Sequence, residues 1–158
     1  LQMIFSYEYL WIQIRVKGGA YGCMCSFSDQ GDSMFVTYRD PNLSESYKVY
    51  DEAADYVVDF DADDRDMKKY IIGTIGSMDM PMEAVDMGAR SFHAYFLDKT
   101  EADLQKVRDQ VLSCTQEDIR ALAPIVKAVV EAGNRCCIGN EEKIDQNKEY
   151  FDEVKHVL

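Results

Sequence analysis

The sequence predicts an α+β domain, with helices packed on one face of a small, mainly antiparallel sheet. Three observations carry that expectation. Apolar residues recur at helical spacing through most of the chain after residue 43. Two strand-like runs, 20–28 and 33–39, flank the short glycine-bearing connector Asp29-Gln30-Gly31-Asp32, as a hairpin requires. Helices and strands also fall in separate blocks along the chain rather than alternating as βαβ units.

Taken in order, residues 3–16 place Tyr7, Leu10, Trp11 and Ile14 at helical spacing, and Gly18-Gly19 then breaks the helix. In the hairpin, Cys23 and Cys25 share one strand face, and Phe35, Thr37 and Arg39 alternate with Met34, Val36 and Tyr38. Asp40-Pro41-Asn42 ends the second strand. Asn42 reads as an N-cap, with Glu45 three residues on, for a helix over 43–60 striped by Val49, Ala53, Tyr56, Val57 and Phe60. The acidic run 59–66 suits the positive N-terminal end of the next helix and lacks the spacing of a calcium loop. That helix carries Met67, Tyr70, Ile71, Thr74, Ile75 and Met78 and ends before Pro81. Residues 83–97 follow, with an apolar face of Val85, Ala89, Phe92, Tyr95 and Phe96 and with His93 near the core.

Thr100 with Asp103, and Thr115 with Asp118, signal two further helix starts. Leu104, Val107 and Val111 form the inner face of the first. Ile119, Leu122, Val126, Val129 and Val130 stripe the second, which Pro124 kinks and Gly133 ends. Residues 135–139 read as a third strand, and Asn140 caps a last helix reaching about residue 155. The expected unit is one domain, 1–158. Three strands are few for so many helices, so the domain is expected to lack its N-terminal strands. That would expose a sheet edge open to self-association. The chain opens on Leu1 rather than Met, which fits a start inside a longer protein.

Composition bounds the function. With 47% hydrophobic and 29% charged residues and a net charge of −12, the chain reads as globular and as a poor partner for nucleic acid. No basic leader and no long apolar run suggest export or a membrane. The expected location is therefore cytoplasmic, with the mitochondrial matrix as the alternative. Five cysteines, Cys23, Cys25, Cys114, Cys136 and Cys137, follow neither a disulfide framework nor a zinc knuckle, and are expected to be buried, reduced thiols.

The stretch that carries chemistry is Arg15-Val16-Lys17-Gly18-Gly19-Ala20-Tyr21-Gly22. Arg15 offers five donors in a rigid fork and Tyr21 one phenolic donor. Gly18 and Gly19 allow main chain to approach a ligand closely. Such a corner can hold peptide carbonyls and stabilise an oxyanion. The same spacing also reads as an ordinary helix-to-strand turn with a surface Arg and a packed Tyr.

The blocks Tyr9-Leu10-Trp11, Ile14 through Gly22, Tyr38-Arg39-Asp40-Pro41-Asn42-Leu43 and Arg65 through Ile75 resemble the pitrilysin/insulinase-like metallopeptidases, in the branch that includes presequence protease and falcilysin. The resemblance implies a pitrilysin-like (LuxS/MPP-like) fold, four related α+β domains closing a chamber, and hydrolysis of unstructured peptides. In that family an inverted motif, His-x-x-Glu-His, supplies two zinc-binding histidines and a general base in the N-terminal half. The C-terminal half supplies an Arg and a Tyr that reach the substrate. By motif matching these are Arg15 and Tyr21, with Tyr21 as the oxyanion or scissile-carbonyl donor. The chain then corresponds to most of the last, non-zinc domain.

Its only histidines are His93 and His156, and no His-x-x-Glu-His occurs. The expectation is thus no metal in this chain, zinc in the full-length enzyme, and no peptidase activity from the chain alone. The implied partners are peptide substrates and the zinc-bearing half, on the same chain or on a partner subunit. A different class of reading is a homologue that has lost catalysis and serves in assembly, as the core proteins of respiratory complex III do in this superfamily. A third is a free-standing peptide-binding module.

Overall fold

The computed structural model describes residues 1–28 and 30–156. The elements are α1 (Gln2–Ile4), two π-helical stretches (Phe5–Tyr9 and Trp11–Lys17), β1 (Gly22–Phe27), β2 (Ser33–Tyr38), α2 (Leu43–Asp51), α3 (Ala53–Val58), α4 (Asp64–Met78), α5 (Ala84–Phe96), α6 (Glu101–Leu112), α7 (Gln116–Arg120), α8 (Ala123–Glu131) and α9 (Glu141–Asp145). They form two compact units, Leu1–Asp59 with Arg120–Leu158, and Phe60–Ile119.

In the first unit, α1 runs without a break into the π-helical stretches. Hydrogen bonds there close on the fifth residue back, as from the Gly18 N–H to the Gln13 carbonyl at 3.1 Å. This wider winding moves the buried stripe away from the one expected of an α-helix. Ile4, Phe5, Tyr9, Leu10 and Ile14 are buried, whereas Tyr7 and Trp11 are exposed. The Phe5 ring meets Phe27 at 6.0 Å, Phe35 at 5.6 Å and Tyr56 at 6.1 Å, which packs the helix on the hairpin.

β1 and β2 pair antiparallel, with Gly22 opposite Tyr38 and Cys25 opposite Phe35. The alternation holds: Cys25 is buried and Phe35 half-buried on one face, and Met24, Met34 and Tyr38 are exposed on the other. Asp29 of the expected connector lies outside the described residues, and Gly31 takes φ +95° there. The sheet has two strands among the described residues. The expected third strand at 135–139 is not formed. Arg135 instead pairs with Asp51 at 3.2 Å and stands over the rings of Tyr47 and Tyr150, which anchors the segment by one side chain rather than a ladder.

The helix expected over 43–60 divides at Glu52 into α2 and α3. The break turns Ala53 and Val57, both buried, onto α8, where Ala123 and Val126 are buried. The helix expected to begin at Thr115 likewise divides into α7 and α8. Pro124 has no N–H to continue it and sits in the first turn of α8. Gly133, at φ +66°, follows α8 as expected. Asn140 caps α9 by accepting the Lys143 N–H at 3.1 Å, but that helix stops at Asp145 and a 3-10 turn, Lys148–Tyr150, follows.

In the second unit, Asp63 caps α4 by accepting the Asp66 N–H at 2.9 Å, and Thr100 and Asp103 form a reciprocal capping box on α6. Arg108 on α6 grips the Asp79 carboxylate just past α4 with two hydrogen bonds. The Gln116 amide donates to the Ala62 carbonyl and accepts its N–H. Phe60 and Ile119 are buried. The expected apolar face of α5 does not face a core: Val85 is 80%, Phe92 65% and Tyr95 81% exposed. His93, on the same helix, is exposed too, and Leu104 and Val107 on α6 lie at the surface.

Candidate functional site

The corner expected from the sequence forms where the N-terminal helix ends and β1 begins. The Gly18 N–H bonds the Gln13 carbonyl, the Gly19 N–H bonds the Arg15 carbonyl, and the Ala20 N–H bonds the Ile14 carbonyl. Gly19 takes φ +75°, which glycine adopts without strain. A Cβ on Gly18 would stand 2.5 Å from the Ile14 carbonyl oxygen, so no larger residue fits there unless the backbone shifts. The two glycines thus reverse the chain sharply, and Gly19 remains exposed.

That reversal brings Arg15 and Tyr21 together. Arg15 Nη1 donates to the Tyr21 carbonyl, and the guanidinium lies 5.7 Å from the Tyr21 ring centroid. The other face of the arrangement is Trp11, whose ring lies 4.4 Å from the Arg15 guanidinium. Four residues apart on a helix, these two side chains fall one above the other. Tyr21 is also fixed from the hairpin. Its N–H donates to the Arg39 carbonyl at 3.3 Å, and its ring meets Tyr38 edge-on at 6.0 Å. Tyr21 as a whole is 63% exposed and its hydroxyl has no partner among the described residues. Main chain and ring are held, and the donor points outward.

A second brace joins the glycine turn to the end of β2. Asn42 was expected to cap α2 with its side chain. It instead donates Nδ2–H to the Gly18 carbonyl at 2.6 Å, and α2 has no side-chain cap. Asp40 accepts the Asn42 N–H at 2.9 Å and the hydroxyl of buried Ser46 at 2.5 Å. Trp11, Tyr38, Arg39 and Asn42 were not singled out as site residues from the sequence. The short connector carried one signal, since a hairpin closed about it pairs Gly22 with Tyr38 and sets Tyr21 beside Arg39.

The thiols behave as packing groups. Cys25 is buried, Cys23, Cys114 and Cys137 are half-buried, and Cys136 is exposed, so the expectation of burial holds fully for one. Burial pushes the Cys23 thiol up, with Arg15 opposing and Asp40 adding to the shift, and burial also raises Cys25. Among the described residues no three His, Cys, Asp or Glu side chains converge on a point that a metal could occupy. His156 lies 3.4 Å from Glu141 at the surface. No described helix is long and apolar enough to cross a membrane.

Comparison with known families gives a match to the PreP C-terminal domain over residues 1–140. The chain belongs to that family. Relatives of the PreP C-terminal domain seen here include protein HypA of Clostridium perfringens, 40% identical over 158 residues, all of this chain and 16% of that protein. Presequence protease 1, chloroplastic/mitochondrial, of Arabidopsis thaliana is 33% identical over 157 residues, covering 97% of this chain and 14% of the protease. The mitochondrial presequence protease of Aspergillus fumigatus is 33% identical over 146 residues, 90% of this chain and 13% of its own length. As a PreP C-terminal domain, the chain spans a small fraction of the relatives it matches.

Proposed function

We propose that the chain is the last, non-zinc domain of a presequence-protease-like zinc oligopeptidase that cleaves unstructured peptides in a closed chamber. The observation that carries this reading is the convergence of Arg15 and Tyr21 at an exposed, glycine-shaped corner of a chain in the PreP C-terminal domain family. Zinc, when bound in the other half of such an enzyme, supplies the activation of water. This chain supplies the hold on the peptide. The Tyr21 hydroxyl donates to the scissile carbonyl and to the negative charge that develops on its oxygen. Arg15 uses its remaining donors on neighbouring peptide carbonyls and so sets the register. Exposed Gly19 keeps a side chain out of the peptide's path, and Gly18 lets the chain turn tightly against the Ile14 carbonyl. The partners are peptide substrates and the zinc-bearing half, on the same chain or on a partner subunit. The relatives named as mitochondrial support the mitochondrial alternative for its location.

The test is Tyr21→Phe in the full-length enzyme. The variant keeps the ring, so folding and thermal stability should match wild type. Turnover should fall by a factor of about 10²–10³, the usual cost of one oxyanion donor. Unchanged peptide kinetics would remove Tyr21 from the site. The isolated chain should show no zinc-dependent cleavage of the same peptides, and cleavage by it would overturn the division of labour.

A further inference from the structure

Tyr21 is flanked by two guanidinium groups, not one. Arg15 lies 5.7 Å from its ring centroid and Arg39 lies 5.8 Å from it. The sequence reading gave no role to Arg39. Its backbone is at φ +50°, a conformation uncommon for any residue but glycine and one that concentrates at functional sites. The turn directs its guanidinium over Tyr38, at 5.4 Å, and Tyr21.

The Arg39 guanidinium has no hydrogen-bond or ion-pair partner among the described residues. The nearest carboxylate in sequence, Asp40, is committed elsewhere, one oxygen to the Asn42 N–H and the other to Ser46. Arg15, too, has no carboxylate partner among the described residues, and its bond goes to a main-chain carbonyl. In a chain with 29 acidic residues against 17 basic ones, two neighbouring unpaired guanidinium groups form a local positive spot. Its field reaches about one screening length, roughly 8 Å at physiological salt, so it acts on a group already at Tyr21 rather than on distant ones. A planar fork with parallel donors matches a carboxylate in two-point contact.

We propose that Arg39 is a specificity-determining residue of this corner, a second guanidinium that binds a carboxylate of the peptide held at Tyr21. The carboxylate is the peptide's own C-terminus or a Glu or Asp side chain. This rests on the peptidase reading, which it deepens.

The experiment uses the full-length enzyme and two matched peptide pairs. One pair has a free or an amidated C-terminus, and the other has Glu or Gln at one internal position. Wild type should favour one acid form by about fivefold in kcat/KM, the upper range for a solvent-exposed ion pair. The pair that shows the preference identifies which carboxylate is bound. The preference should fall on KM and weaken with added salt. Arg39→Ala and Arg39→Asn should bring the ratio close to one, and Arg39→Lys should restore part of it. Asn tolerates the left-handed backbone, so it separates loss of charge from loss of the turn.

No acid preference in wild type, or an equal loss on both members of each pair in Arg39→Asn, would overturn the proposal. If the wild-type enzyme cleaves none of the peptides, the peptidase reading fails. Fluorescence anisotropy of the same labelled peptides then decides on Arg39 alone. An acid preference in binding that Arg39→Asn abolishes supports it, and equal binding of both members overturns it.

Discussion

Gly18 and Gly19 sit side by side yet resist substitution for different reasons. Gly18 has an ordinary helical backbone, but its missing Cβ makes room for the Ile14 carbonyl, and that oxygen belongs to main chain with little freedom to move. Gly19 has space around it but a left-handed backbone, which costs an L-residue about 1–2 kcal/mol. Gly19→Ala should therefore lower stability by about that amount, and Gly18→Ala should lower it further and disturb Arg15. Urea unfolding of the two variants checks the order, and a milder Gly18→Ala would contradict it. The Arg15–Tyr21 pair was legible because both residues and the glycines between them lie within one short segment. Trp11 stands four residues before Arg15, an ordinary neighbour spacing on a helix, so its contact was open to the same reading. Arg39 was not, because it comes to Tyr21 only through the hairpin register.

At the level of elements, local signals were read correctly where nothing distant competes. Thr100 with Asp103, Thr115 with Asp118, Asn140 and Gly133 each do what their spacing implies. The Thr100 hydroxyl and N–H also hold the Asp103 carboxyl below its usual range. Thr100→Ala should cost about 1 kcal/mol, read as a lower urea midpoint, while Thr100→Ser should keep most of it. Equal midpoints for wild type and the Ala variant would refute the cap. Signals failed where tertiary contacts offered a better partner. Asn42 leaves its cap position for the Gly18 carbonyl, and residues 135–139 are held through Arg135 between two tyrosines rather than by a strand. The hydrophobic period of α5 was correct as a helix signal, but period alone does not say what a face meets.

Across the molecule, burial of phenols couples stability to alkaline pH. Burial pushes the Tyr47 phenol up to about 12, with Cys137 adding and Arg135 opposing. Tyr9 and Tyr56 are raised as well, again chiefly by burial. The folded chain therefore keeps these protons after the unfolded chain has released them near pH 10. The contribution of Tyr47 is complete below about pH 10 and is lost as pH rises toward about 12. Between those values Tyr47 should steepen the decline by at most about 1.4 kcal/mol per pH unit, and Tyr9 and Tyr56 act in the same direction. Urea midpoints measured across this window should fall, and Tyr47→Phe should flatten the slope. An unchanged slope in that variant would refute the coupling. The net charge of −12 adds to the effect, since further negative charge favours expansion.

The π-helical stretch Trp11–Lys17 has a consequence for chain length itself. Relative to an α-helix spanning the same rise, it carries surplus residues, and that surplus sets the angular phase at which Arg15 leaves the helix. Removing one residue between Trp11 and Gly18 would let the segment relax to ordinary α winding with its apolar contacts largely kept. Arg15 would keep Trp11 as a helical neighbour, three or four residues away, but would shift in phase against the buried stripe and move away from Tyr21, although every side chain of the pair was still present. The site is encoded partly as a count of residues, so an alignment that scores only which residues occur would not see it lost.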